Sequence, residues 1–124
     1  MKWLYTITIL TVLFIISCGD DEKINIEPIP AGVDTASVSA CILDKVAEQA
    51  AKGDSAQIIG VDQYYYQGGI VYLYTYECCD QFNVLVNEEC KPICAPSGGI
   101  GGNGDGGCTD FADRAHFIKL VWHK

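Results

Sequence analysis

The sequence predicts an α+β domain. One N-terminal helix packs on an antiparallel sheet of four or five short strands, disulfides staple the two together, and a glycine-rich loop interrupts the strands. Three observations predict it. Helical periodicity is confined to residues 35–53. From Ile58 onward the chain is a series of short runs rich in Val, Ile and Tyr, separated by turn residues. Seven cysteines occur in 124 residues, a density typical of small exported domains.

The helix is expected over 35–53. Ser37 or Ser39 can cap its start. Val38, Cys41, Ile42 and Val46 fall on one face, and Ala40, Leu43, Ala47 and Ala50 widen it. Asp44, Lys45, Glu48 and Lys52 are polar, and Gly53 suits the position just past the end. Cys41 therefore points inward. Ile58–Gln67 and Ile70–Tyr76 read as two strands joined at Gln67-Gly68-Gly69. Phe82–Val86 is a third. Asn87-Glu88-Glu89 turns into a short segment from Cys90 to Cys94, which Pro92 confines to a sheet edge. Residues 95–107 carry Gly98, Gly99, Gly101, Gly102, Gly104, Gly106 and Gly107 and read as a loop, because Gly loses too much entropy in a regular element. Asp110–Ala115 reads as a helical turn. Phe117–Trp122 is the last strand, with Ile118, Leu120 and Trp122 expected on one face.

The first residues are a separate matter. Lys2 is followed by an uncharged, mostly apolar run to Ser17. As a helix it spans only about 22 Å, and a membrane crossing needs roughly 20 residues. It fits the apolar core of a signal peptide. Ile15-Ile16-Ser17-Cys18 resembles the lipobox of bacterial lipoproteins, which implies a signal peptide over 1–17, cleavage before Cys18, and a diacylglycerol on the Cys18 sulfur. Two or more acyl chains anchor stably where one is marginal. Gly19-Asp20-Asp21-Glu22 resembles the acidic export tag of some surface lipoproteins and reads equally as a solvated linker. Residues 18–34, with Pro28 and Pro30, are expected to be a spacer, and 35–124 the domain. The resulting expectation is an exported chain, anchored by lipid to the cell envelope at the outer membrane, with surface exposure as one outcome.

Composition bounds the function. Sixteen acidic side chains stand against eight basic ones, and Lys2 leaves with the leader. That balance argues against nucleic acid, whose phosphates need a basic face, and against adhesion to anionic lipid by charge. Lipidation of Cys18 resolves the odd cysteine count. It leaves Cys41, Cys78, Cys79, Cys90, Cys94 and Cys108 for three disulfides, with Cys78 and Cys79 expected on opposite faces and bonded to different partners.

Cys78-Cys79-Asp80-Gln81-Phe82, Cys90-Lys91-Pro92-Ile93-Cys94-Ala95-Pro96-Ser97-Gly98-Gly99 and Gly102-Asn103-Gly104-Asp105-Gly106-Gly107-Cys108-Thr109-Asp110-Phe111 are together similar to small cysteine-rich domains of bacterial lipoproteins. The resemblance covers roughly residues 38–124. It implies a helix with a Cys near its start and a terminal strand ending near a Trp. That family has no known activity, so the resemblance implies a fold and no function. Its usual Pro after the last Cys is Thr109 here.

No constellation points to an enzyme, and neither catalytic residues, cofactor nor metal are expected. Cys78, Cys79, Cys90 and Cys94 lack the spacing of a zinc site and belong to an oxidising compartment. Gly98–Asn103 matches the first positions of a calcium-binding nonapeptide, but those repeats bind by stacking copies. Asp105 and Asp110 would have to complete a lone site. The histidines are His116 and His123, the latter one residue from the end. Glu88 and Glu89 sit in a turn. Tyr64, Tyr65 and Tyr66 stand on one strand. Tyr72, Tyr74 and Tyr76 share a face of the next, with Val71 and Leu73 opposite. If the aliphatic face meets the helix, the tyrosine row is a candidate binding face. A monomeric binding or structural module at the cell envelope is the leading expectation. A hydrolase inhibitor or a calcium-stabilised module is the alternative.

Overall fold

The computed structural model describes residues 24–78 and 80–124. Helix α1 (Ala40–Lys52) runs into a 3-10 turn (Gly53–Ser55), followed by strands β1 (Ile58–Tyr66), β2 (Gly69–Tyr76), β3 (Phe82–Asn87) and β4 (Pro92–Gly98). A single-turn helix α2 (Phe111–Arg114) precedes β5 (His116–His123). The strands form one five-stranded sheet in the order β4-β3-β2-β1-β5, each neighbour antiparallel.

Local chemistry sets most element ends. Gln67 and Gly68 both have positive φ, 49° and 82°, which is the two-residue turn whose twist matches a hairpin. Gly69 therefore opens β2 instead of lying in the turn. The helix starts later than its periodicity predicts because Asp34 captures the preceding backbone. Its carboxylate accepts the N–H groups of Ala36 and Ser37 and the Ser37 hydroxyl, a local alternative to helix formation. Ser39 occupies the N-cap position without a side-chain cap bond. Gln49, buried on α1, accepts from the N–H groups of Gln57 and Ile58 and so holds the first residue of β1. The glycine-rich run begins later than expected, since Ala95-Pro96-Ser97-Gly98 still belong to β4. An edge strand tolerates the two prolines because its outer side needs no N–H partner.

Both faces of the sheet are covered. On one face Ile42 of α1 shares a buried cluster with Ile58, Val61, Tyr65, Ile70, Tyr72, Tyr74 and Val86, and Ile29, Val33, Val38 and Val46 pack against it. On the other, Tyr66, Val71, Leu85, Cys94, Cys108 and Phe111 form a second cluster, with Tyr64 and Leu73 against it. The second cover follows from topology. β4 and β5 lie at opposite edges, so the chain between them must cross the sheet. Phe111 meets Tyr64 and Tyr66 edge to face, at 4.9 and 5.2 Å between ring centres.

Three sequence expectations are corrected here. The tyrosine row of β2 is not a surface: Tyr72 is 0% exposed, Tyr74 5%, and Tyr76 half-buried. It faces the cluster that contains Ile42, while Val71 and Leu73 face the crossing chain. Next, the spacer ends early. The Glu27 N–H donates to the Arg114 carbonyl, and Ile29 and Val33 join the core, so residues 27–39 form an arm of the domain. Finally, Leu120 does not share a face with Ile118 and Trp122. The β1–β5 register shifts at Val61/Asp62 and at Gln63/Tyr64, and Leu120 turns outward opposite Asp62 while Val121 joins the first cluster.

Tyr72 explains how the arm is held. Its hydroxyl accepts from the Ser39 N–H at 3.3 Å and from the Gln63 amide at 3.2 Å. The same Gln63 amide donates to the Ser37 carbonyl, and Lys119 donates to the Ala36 carbonyl. Removing one oxygen should therefore cost more than one hydrogen bond, because Gln63 is fully buried and its donor would lose a partner. Tyr72→Phe is expected to lower the unfolding free energy by about 1–3 kcal/mol with ring packing intact. Denaturant titration checks it, and faster amide exchange at Ser39 should accompany it.

Candidate functional site

The residues that stand out as a site lie on the crossing chain between β4 and β5. Its first turn is closed by the Gly102 N–H donating to the Gly99 carbonyl, with Ile100 and Gly101 at the apex. The turn is tied down on both sides. Gly99 N–H donates to the Gln81 carbonyl, Gly104 N–H to Gly98, and Asp105 N–H to Ala95. Gly98 also bridges Asn103. Cys94–Cys108 closes the whole loop covalently. Two glycines are required by contact as well as by φ. At Gly98 (φ 81°) a side chain would meet the backbone of Gln81 and Asn83, and at Gly104 (φ 72°) it would overlap the Ala95 carbonyl. The Phe82 ring lies against Gly99. The apex itself is open, and Ile100 is 92% exposed.

The cysteines divide as follows. Cys41 on α1 is bonded to Cys90, in the turn between β3 and β4. Cys90 sits at φ 62°, an unusual angle for a side-chain-bearing residue, beside an Asn87 carboxamide that accepts from the N–H groups of Glu89 and Lys91. The Tyr74 hydroxyl donates to the Cys90 sulfur at 3.6 Å, and burial pushes the Tyr74 phenol up to about 12. Cys78 is disulfide-bonded as well. Cys79 and Cys18, and with them the signal peptide, the lipid site and the acidic run, lie outside the described residues. With Cys41–Cys90 and Cys94–Cys108 formed, the cysteines left in the sequence for Cys78 are Cys79 and Cys18. The expectation of different partners for Cys78 and Cys79 rests on Cys79 and so lies outside the described residues.

The remaining polar candidates are committed elsewhere. Asp105 takes the Gly107 N–H at 2.8 Å, and this bond holds its carboxyl below the ordinary value. Asp110 accepts from the Tyr66 hydroxyl at 2.5 Å and pairs loosely with Arg114 at 3.6 Å. Burial first, and then Asp110, push Tyr66 up to about 12. This pair pins the tip of the first hairpin to α2, a link no sequence pattern announces. His116 and His123 stand at opposite ends of β5. Glu88 and Glu89 are exposed in their turn. Among the described residues no three His, Cys, Asp or Glu side chains come close enough to hold a metal ion. None of their helices is long and apolar enough to cross a membrane.

Two outcomes test this geometry. Gly104→Ala must move the Ala95 carbonyl, and overpacking of this kind costs about 1–3 kcal/mol. The variant should melt lower, whereas Gly106→Ala, with nothing near its Cβ position, should suffer only the backbone penalty of its φ. Asp62 is half-buried opposite Leu120, and burial raises its carboxyl above the ordinary value. A raised acid contributes stability below its unfolded value and loses it as pH rises through the folded one. Asp62→Asn should therefore raise the melting temperature at neutral pH, with the difference vanishing once the pH falls below the ordinary carboxylate range. A constant offset at all pH values would assign the effect to packing.

No curated protein and no solved structure matches the chain. Residues 45–124, from the middle of α1 through β5, match a domain family of unknown function, and the chain belongs to it: the DUF6970 family.

Proposed function

We propose that the chain is a lipid-tethered protein of the cell envelope whose small oxidised domain serves as a binding module and carries no catalytic role. The observation that carries this reading is the cysteine arrangement. Every domain cysteine among the described residues is in a disulfide. Such bonds persist in oxidising compartments outside the cytosol. The seventh cysteine, Cys18, stands at the end of a fifteen-residue uncharged run from Trp3 to Ser17, in a lipobox-like setting. The glycine-rich loop and the helix act in this reading as rigid covers of the sheet, and the loop apex is the part free to meet another molecule. An acidic exterior keeps the module off nucleic acid and anionic membrane surfaces.

The tether has a direct consequence for the third disulfide. A thioether at Cys18 removes that sulfur from disulfide chemistry, so Cys78 must then be bonded to Cys79. Intact mass of the chain extracted from membranes should show a start at Cys18 carrying a diacylglycerol. Peptide mapping without reduction should find Cys78 and Cys79 in one internally bonded peptide. A wild-type chain in the soluble fraction, or a Cys18–Cys78 peptide, would retire the tether.

A further inference from the structure

We infer that Asn103 is a modification site gated by the Cys94–Cys108 bridge. Its carboxamide is hydrolysed to aspartate and isoaspartate once the glycine-rich loop opens, and it is protected while the loop is closed. The inference concerns the loop alone and does not depend on the tether.

The chemistry lies in one dipeptide. Asn103 is exposed and is followed by Gly104. The main-chain nitrogen after an asparagine can attack that asparagine's own side-chain carbonyl carbon, and a glycine there puts no Cβ in the way. Asn25, Asn83 and Asn87 are followed by Ile26, Val84 and Glu88, whose side chains hinder the same attack. The step balances without a cofactor. The Gly104 nitrogen loses its proton and bonds to Cγ of Asn103, Nδ2 leaves as ammonia, and a cyclic succinimide remains. Water then opens either carbonyl. The net change is a carboxamide and water giving a carboxylic acid and ammonia, with no electrons exchanged. One opening gives aspartate. The other gives isoaspartate, which routes the main chain through the side-chain carbon and adds a methylene.

The closed loop withholds the nucleophile. The Gly104 N–H donates to the Gly98 carbonyl at 3.1 Å, and Gly98 bridges Asn103. One residue on, the Asp105 N–H donates to the Ala95 carbonyl at 2.9 Å. Gly104 lies so close to Ala95 that a side chain would overlap the same carbonyl oxygen. Turning the Gly104 nitrogen onto Cγ therefore breaks its bond and pushes on a residue of β4. Ring closure waits for local opening, and its rate follows the open population. The bridge sets that population. Cys94 and Cys108 are 7% and 4% exposed, so a thiol reductant reaches them only in an opened molecule. Exchange there oxidises the reductant, leaves Cys94 and Cys108 as thiols, and turns a transient opening into a lasting one. The bridge spans 14 residues, and in the loop-entropy account its loss raises the open population on the order of a hundredfold. Isoaspartate at 103 then lengthens the loop, so the change is permanent where reduction is reversible.

The test holds the full-length chain at neutral pH and follows Asn103 by peptide mapping. The added mass separates its conversion from isomerisation at Asp105-Gly106, which leaves mass unchanged. Three samples are compared: the native oxidised chain, the oxidised chain in urea above its unfolding transition, and the chain in graded dithiothreitol without urea. Free thiols are alkylated at each time. The native chain should convert at least about tenfold more slowly than the unfolded one. In dithiothreitol, molecules alkylated at Cys94 and Cys108 with Cys41–Cys90 still closed should convert at least about tenfold faster than oxidised ones. A native rate within about tenfold of the unfolded rate overturns the protection. A smaller difference between molecules with Cys94–Cys108 open and closed overturns the gate. So does conversion confined to molecules that have also lost Cys41–Cys90, because general unfolding then controls the site.

Discussion

Both covers of the sheet are tied to the same short stretch of chain. Cys90 holds α1 through Cys41, and Cys94, four residues on, holds the crossing segment through Cys108. Everything else depends on that stretch, because it begins an edge strand that is weak by itself. Pro92 and Pro96 take two donors out of β4, and its pairing with β3 is irregular at Asn83/Leu85 and Leu85/Val86. Beside the first shift Asn83 donates to the Ser97 hydroxyl of β4, and on its other side it accepts the Tyr76 N–H of β2. The bridges close 49 and 14 residues of chain. In the loop-entropy account these are worth about 4 and 3 kcal/mol. Against a net stability of about 5–15 kcal/mol for a small domain, the edge holds because it is covalently clamped to both layers.

The clamp also explains how much of the fold could be read from the sequence. The helix, the first hairpin, the third strand and the edge position of Pro92 were legible because each rests on local chemistry: periodicity, the Gln67-Gly68 turn, a missing N–H. What was not legible depends on the crossing. A sheet covered on one side alternates apolar and polar, and that assumption sends the tyrosines of β2 to solvent. Here the chain must pass from β4 to β5 over the opposite face, so Ile70-Val71-Tyr72-Leu73-Tyr74 is apolar throughout because both sides are covered. The two register shifts of β5, which turn Leu120 outward, leave no mark in an eight-residue run of mixed character. The arm was missed for a different reason. Ile29 and Val33 are too sparse to show periodicity, and Pro28 and Pro30 suggest a spacer, yet polar bonds from Gln63, Tyr72 and Lys119 fix this segment to the sheet.

The candidate site was half legible. Disulfide bonding of Cys41, Cys78, Cys90, Cys94 and Cys108 followed from count and compartment, whereas the pairing did not, since spacing alone cannot rank connectivities. The glycines announced a loop, and their number suggested looseness. The structure gives them a different reason. Gly98 and Gly104 are where two backbone segments come too close for any side chain, so part of the glycine content is a packing requirement of a tight loop.

That distinction bears on what the domain presents. With both sheet faces covered, the described residues leave no broad apolar face of the sheet open. The exposed large side chains are scattered: Leu43 on the helix, Ile93 on the edge strand, Phe117 and Leu120 on β5, Ile24 and Ile26 on the incoming chain. Single exposed hydrophobics are normal and carry little meaning alone. Ile100 differs from them in its support. Leu43, Phe117 and Leu120 belong to regular elements whose other residues fill the core. The turn that carries Ile100 fills none, and it is held by bonds from the Gly99, Gly102, Gly104 and Asp105 N–H groups at the end of the sheet opposite the Glu27–Arg114 bond. Its shape follows from the close approach of β4 and the crossing chain at Gly98 and Gly104, so the exposure of Ile100 is the consequence of a tight turn with no core beneath it.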